Sequence, residues 1–252
     1  MNCFKKDYSE YYDYLYIKKN YHKEFVLIKK IIKKYLKNPK QLMDLGCGTG
    51  KYSNLMTKLD LNVLGIDMSP YMLKIAKKKY KKNRKLKFLH SNINSLKTFQ
   101  KFDIISSLFH ILSYQTNKKN IYKFFLNSQK NLKKNGILIF DFWFKPGVLN
   151  LRIPLKYRKI ENKKLSIHRI TRSKWFKNLD QIHDEHEMII LNKKNKKIKI
   201  FKETHKMKFF VMKDIKKYLK LNNMKFIESF DPSNNKPLTN QSWAALVVAK
   251  KI

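Results

Sequence analysis

Met43-Asp44-Leu45-Gly46-Cys47-Gly48-Thr49-Gly50-Lys51 reads as the end of a strand, a glycine turn and the start of a helix. The residues before Gly46 are apolar apart from Asp44, which predicts a strand over 41–45, and a helical pattern takes over near Tyr52. Glycines at 46, 48 and 50 allow backbone amides to approach a bound molecule closely. A second apolar run, Leu61 to Ile66, ends in Asp67. An acid at the tip of a second strand can accept both hydroxyls of a ribose, and the glycines leave room for the rest of a nucleoside. The spacing narrows the choice. The dinucleotide fingerprint is G-x-G-x-x-G and aims a helix N-terminus at a pyrophosphate. Here the pattern is G-x-G-x-G behind Asp44, an acid that repels a pyrophosphate and suits an ammonium group.

At Asp44, Gly46, Gly48, Gly50 and Asp67 the sequence resembles the class I S-adenosylmethionine-dependent methyltransferases, whose first motif is an acid followed by G-x-G-x-G. The alternative is a glycine-tightened turn in another doubly wound fold. The resemblance implies S-adenosyl-L-methionine as cofactor, held by these five residues. Further along, Met68 is placed to flank an adenine or to fill the core. Asn92, with Ile93 beside it, occupies the place where relatives commonly carry an acid for the adenine amino group; its carbonyl can still accept that bond.

Strand and helix patterns alternate through the first part of the chain, the mark of a parallel sheet with crossover helices. Strands are expected at 41–45, 61–66, 86–90, 102–107 and 136–142, and helices near 51–59, 70–82 and 119–133. Ser69-Pro70 supplies a cap and a first-turn proline. From about 151 to 210 the alternation stops. Segments 166–174, 181–192 and 197–210 read as a small antiparallel sheet inserted after strand five. A helix near 212–222 and strands at 224–230 and 243–249 then return to the main pattern. The expected fold is a Rossmann-like, doubly wound α/β sheet of seven mostly parallel strands with an antiparallel terminal hairpin, plus the β insertion. Its expected parts are a lid and helix at 1–40, a cofactor-binding core at 41–150, an insertion over the acceptor site at 151–210, and a return to the sheet at 211–252.

Residues 8–21 are rich in tyrosine, and Tyr12, Asp13, Tyr16, Lys19 and Tyr21 resemble the Y-D-x-x-Y…K-x-Y lid at the start of many small-molecule methyltransferases. That resemblance implies Tyr16 and Lys19 on the cofactor and Tyr12 on the acceptor; the plainer reading is packing. From Glu24 to Leu36, Phe25, Ile28, Ile32 and Leu36 mark the apolar face of a helix laid on the sheet. Ser106 to Thr116 and Phe140 to Leu149 resemble the S-L-F-H-x-x-S-Y-Q-T and D-x-W-x-x-P-x-V-L segments of a subgroup associated with sugar and surface-polysaccharide pathways. The resemblance implies Leu108 on the cofactor and a small soluble acceptor, a sugar or nucleotide-linked sugar, bordered by Tyr114 and Trp143.

Methyl transfer from a sulfonium requires little beyond alignment and exclusion of water, so a base is not obligatory. His110, just past the fourth strand, is the candidate base for a hydroxyl acceptor, or else a residue that only hydrogen-bonds structure or substrate. Arg152 and Arg169, with Arg158 and Arg172, are scarce guanidinium groups gathered after the fifth strand, suited to a phosphorylated acceptor or to surface ion pairs. His183, Asp184, Glu185, His186 and Glu187 alternate across a strand and form no closed ligand set, so no metal is expected.

The net charge of +39 invites a nucleic-acid reading, in which RNA is the substrate. Against it, only five of 57 basic residues are arginine and the lysines are scattered, which favours a solvated lysine coat. Two cysteines, Cys3 in an expected tail and Cys47 in the turn, fit neither a disulfide framework nor a zinc site. With no apolar run of about 20 residues and a polar N-terminus, a soluble cytoplasmic protein is expected; oligomeric state is not legible.

Overall fold

A computed structural model describes residues 3–96, 98, 100–152 and 155–252. Strand β1 (Gln41–Leu45) lies inside the sheet, parallel to β2 (Asn62–Asp67) on one side and β4 (Phe102–Ser107) on the other. Outside these run β3 (Leu86–His90) and β5 (Leu132–Phe144), also parallel. Next to β5 comes β11 (Ala244–Lys251), antiparallel to it, and then β10 (Met224–Phe230), antiparallel to β11. The main sheet therefore has seven strands in the order β3-β2-β1-β4-β5-β11-β10.

Strand β5 shows why this sheet is buried on both sides. Ile137 and Ile139 pack with Phe25, Ile28, Ile31 and Ile32 of helix α2 (Tyr21–Tyr35), while Leu138, Phe140 and Phe142 pack with the opposite layer. That second layer holds Phe124 and Phe125 of helix α5 and Ile215 and Leu219 of helix α7 (Lys118–Asn131 and Met212–Leu221). Four successive apolar residues, Ile137 to Phe140, suit a strand covered on both faces. Side-chain caps start the helices: Asn20 accepts from Lys23 N at 2.9 Å before α2, and Asn117 from Asn120 N at 2.9 Å before α5. Helix α4 (Pro70–Lys79) has Ser69 as its cap and proline at its first position.

The insertion differs from the expected three strands. It is a four-stranded antiparallel meander, β6 (Leu155–Glu161), β7 (Leu165–Phe176), β8 (Gln181–Asn192) and β9 (Ile198–Phe210). Strand β6 escapes sequence reading because, as an edge strand rich in Lys and Arg, it shows little alternation. The meander also joins the main sheet, since Phe209 and Phe210 pair with Trp143 and Phe144. Other boundaries move as well: α4 ends at Lys79 rather than at 82, and β11 runs to Lys251 rather than to 249. The helix expected over 51–59 is α3 (Lys51–Met56) followed by a 3-10 turn (Thr57–Leu59), and β5 starts at Leu132 rather than at 136.

The N-terminal helix α1 (Lys6–Leu15) lies between the meander and the core. Its Tyr8, Tyr12 and Leu15 are buried against Ile167, Met188 and Ile190 of the meander and Met72 of α4. A short helix α6 (Lys145–Asn150) links β5 to the meander. Among the described residues, no helix is long and apolar enough to cross a membrane.

Candidate active site

The glycine turn is fastened to its neighbour strand by two amides: Gly46 N and Cys47 N both donate to Ile66 O, at 2.8 and 2.9 Å. Gly50 has φ +77°, and a side chain there would stand 2.6 Å from the Phe88 ring, so this glycine is needed for α3 to leave the turn. Gly48 is different. With φ +56°, it has no atom of the described residues within 4 Å of the place a Cβ would take, so among them it faces open space. Asp44 is buried beneath the turn, accepting from Ser53 Oγ at 2.6 Å and Ser106 Oγ at 2.9 Å. Burial nevertheless prevails over these bonds and pushes its carboxyl up to about 6. Asp67, at the tip of β2, accepts from Gly48 N and Ser69 N, each at 2.8 Å. Burial raises its carboxyl above the ordinary range, and the two amides oppose that rise.

Two cavities open beside this turn. The larger, about 630 Å³, is lined by Gly46, Asp67, Met68, Asn92, Ile93 and Tyr114 among others. The smaller, about 60 Å³, is lined by Asp44, Gly48, Tyr12, Lys19, Leu108 and Phe109 among others. Phe4, Gly46, Asp67, Ile111 and Tyr114 border both. The structure thus gathers most of the residues expected around a nucleoside. Asn92 is there too, though its side-chain oxygen already accepts from Asn94 N at 2.9 Å.

The tyrosine-rich segment forms the wall of the smaller cavity. Lys19 is paired with Glu24 at 3.0 Å and its ammonium lies 3.5 Å from the centre of the Phe109 ring. Burial lowers the Lys19 pKa, with Glu24 opposing. Tyr16 packs on Tyr12 and Phe109, with ring centres 4.8 and 4.9 Å away, rather than lining either cavity. Asp13 ties the segment down, accepting from Thr49 Oγ1 of the glycine turn at 2.8 Å and from Lys79 of α4 at 2.5 Å.

Just past β4, Phe109 and His110 both adopt positive φ, 69° and 65°. Two consecutive left-handed residues without glycine are strained and persist only where neighbours hold them. The holder is Asp141 at the end of β5. Its Oδ1 accepts from His110 N at 2.7 Å, and its Oδ2 stands 3.2 Å from His110 Nδ1, at ion-pair distance but without hydrogen-bond alignment. Burial acts to raise the Asp141 carboxyl, yet the imidazole and amide of His110 outweigh it and hold the carboxyl below its ordinary value.

Residues 42–136 match the family model of a methyltransferase domain. These residues are a methyltransferase domain. Among curated relatives, the ubiquinone biosynthesis O-methyltransferase of Pelagibacter ubique is 39% identical over 124 residues, 49% of each chain. The chain spans about half the length of the curated relatives it matches. Among solved structures, an S-adenosylmethionine-dependent methyltransferase from Clostridium acetobutylicum superposes with TM-score 0.84 at 20% identity, covering 97% of this chain and 98% of that one. The sugar N-methyltransferase KedS8 from Streptoalloteichus sp superposes with TM-score 0.81 at 18% identity, covering 95% and 92%. At these identities the likeness is one of fold.

The residues present fit S-adenosylmethionine, because the methyltransferase domain leaves open space over Gly48 and sets the Asp67 carboxylate at the border of both cavities. The acceptor side is less as expected. Trp143 is buried in a cluster with Val148, Ile182, Met207 and Phe209, its ring 5.3 Å from Trp243 and its indole N–H without a partner, and it lines neither cavity. Arg152 is not brought to the site either: it is exposed, with Nε donating to Leu149 O at 3.1 Å. Arg169 turns inward on β7 toward the hydroxyls of Tyr8 and Tyr16. Of the acidic and histidine run on β8, His186 is bonded to Thr171 at 2.8 Å, and burial lowers its pKa to about 2. Asp184 accepts from Ser173 at 2.5 Å.

Asp141 was within a motif the sequence quoted, but its grip on His110 depends on β4 and β5 lying side by side. Glu203 and His205 carried no signal in the sequence; they are two polar positions on the inward face of β9 that the fold delivers against the larger cavity and Tyr114.

Proposed function

We propose that this chain transfers a methyl group from S-adenosylmethionine to a small soluble acceptor, a sugar or nucleotide-linked sugar, with positioning as the main catalytic effect. The observation that carries this reading is the cavity beside Gly48, lined by Tyr12, Lys19 and Phe109, with the His110–Asp141 pair adjoining Phe109 just outside its lining. When bound, S-adenosylmethionine supplies an electrophilic methyl on a good leaving group. The chain supplies alignment and a dry enclosure, and alignment of this kind contributes roughly 7 to 11 kcal/mol. Asp67 is placed to accept the ribose hydroxyls, and Asp44 sits under the turn where it favours a cationic neighbour. For a hydroxyl acceptor, His110 takes the proton and Asp141 stabilises the imidazolium that results.

Charge on the meander supports a phosphorylated acceptor. Arg158 and Arg169 stand directly opposite on β6 and β7, with Lys156 two residues along. Like charges placed opposite each other on one sheet face repel, and an anion between them relieves that cost. The fold shared with a sugar N-methyltransferase points to the same acceptor class.

The test is tritiated S-adenosylmethionine offered with nucleoside-diphosphate sugars bearing free hydroxyl or amino groups, with quinone-precursor phenols, and with bulk RNA, in parallel. Label in the nucleotide sugars is the expected result. Label confined to one RNA site at physiological salt, or to the phenols, overturns the acceptor assignment.

A further inference from the structure

Residues 3–5, which the sequence offers as a tail, border the larger cavity, and Phe4 borders the smaller one as well. Cys3 and Phe4 are half-buried and Lys5 is exposed, and burial pushes the Cys3 thiol up to about 12. Phe4 carries φ +60°, a conformation that costs a phenylalanine energy unless its surroundings fix it. Both ends of its backbone are fixed. Its carbonyl accepts from Ser69 Oγ at 2.7 Å and Ser9 Oγ at 2.9 Å. On the other side, Glu203 accepts from Phe4 N at 2.7 Å and from Lys5 N at 3.0 Å.

Glu203 is itself held. Its Oε1 lies 2.8 Å from His205 Nε2, and His205 Nδ1 lies 2.8 Å from the Tyr114 hydroxyl. Glu203 and His205 are buried, and every group in the chain Tyr114–His205–Glu203 has a partner. A fully satisfied buried network of this kind is rigid. The Phe4 ring packs 4.9 Å from His205 and 5.6 Å from Tyr114, and borders both cavities. The segment therefore bridges from Ser69, two residues beyond Asp67, to a fixed carboxylate on the meander.

We propose that Glu203 is a positioning residue that latches Phe4 and Lys5 over the cofactor, so that release of the Glu203 carboxylate from these two amides precedes exit of the cofactor. Three groups donate to this carboxylate, and two of them belong to the segment that must move. An amide in place of the carboxylate presents an NH2 to one of these donors and breaks the arrangement while leaving the volume nearly unchanged. His205 and Tyr114 act through Glu203 by holding its plane.

The inference rests on the cofactor occupying the two cavities, and its test reads the product S-adenosylhomocysteine with no acceptor present. Stopped-flow displacement of S-adenosylhomocysteine is expected to be about tenfold faster in Glu203→Gln than in the wild type, the factor expected from weakening one charge-assisted hydrogen bond. Ser69→Ala, at the other end of the segment, is expected to accelerate release as well. Deleting residues 1–5 is expected to give fast release, and Glu203→Gln added to that deletion is expected to change nothing further. Non-additivity of this kind separates a residue acting through the segment from one that merely stabilises the fold. Unchanged release in folded Glu203→Gln, or an equal acceleration in the full and shortened chains, overturns the latch while leaving the cofactor assignment intact. A wild-type protein that binds no S-adenosylhomocysteine overturns both.

Discussion

Asp44→Asn separates the demands of folding from those of binding. The Asp44 carboxyl is buried under the glycine turn, and burial raises its pKa from 3.8 to about 6 despite two serine hydroxyls that favour the charged form. Such a rise corresponds to roughly 3 kcal/mol. A carboxyl that protonates more readily folded than unfolded contributes stability below its unfolded pKa and loses that contribution as pH rises through its folded pKa. The wild type should accordingly lose up to about 3 kcal/mol of stability from this residue between about pH 4 and pH 7. Asparagine does not titrate, so the stability of Asp44→Asn minus that of wild type should grow by that amount across the same window. Taking this difference cancels the parallel contribution of Asp67, which burial also raises. Binding runs the other way: a cationic cofactor favours ionised Asp44, so wild-type affinity should rise with pH up to about 6 and Asp44→Asn should bind weakly at every pH. Urea denaturation at about pH 4.5 and pH 8, with calorimetry of S-adenosylmethionine at the same pH values, measures both effects. A stability difference that stays constant over this range would refute the argument that Asp44 is charged at a cost for the sake of binding.

Gly48→Val should abolish S-adenosylmethionine binding by filling the open space over the turn and by straining a residue at φ +56°, and Asp67→Ala should weaken it by about 1.5 to 3 kcal/mol per charge-assisted bond lost; calorimetry on folded variants checks both. With a hydroxyl acceptor, His110→Ala should lower kcat about 10²- to 10⁴-fold while cofactor affinity stays close to wild type, as measured by steady-state kinetics beside calorimetry. Arg169→Gln should raise the KM for a nucleotide-linked acceptor and leave cofactor affinity nearly unchanged, whereas Trp143→Ala should act mainly on stability, costing about 3 to 5 kcal/mol in chemical denaturation because its ring is buried in a packed cluster. If the lysines are a solvated coat, RNA binding should be sequence-blind and fall steeply with salt, and small-molecule turnover should persist at high salt.

The sequence by itself determined the local chemistry of the cofactor half. Glycines at 46, 48 and 50, an acid at 44 and another at 67 are tied to backbone geometry, so their spacing is informative without any tertiary contact. Strands over 41–45, 86–90 and 102–107 were legible to the residue, because short, mostly apolar or alternating stretches bounded by turn residues leave few alternatives. Charged edge strand β6 was hidden because pairing on one side alone imposes little pattern. Tertiary structure alone decided the rest, and for one physical reason: these features are contacts between residues far apart in the chain. The grip of Asp141 on His110 needs β4 beside β5. Trp143 became core rather than pocket because β9 and Trp243 close over it. Arg152 and Arg169, equal in the sequence, parted when one fell in an exposed linker and the other on the inward face of β7. Glu203, unremarkable in a lysine-rich strand, meets Phe4 and Lys5 only because the meander folds back over the glycine turn, bringing together groups 199 and 198 residues apart.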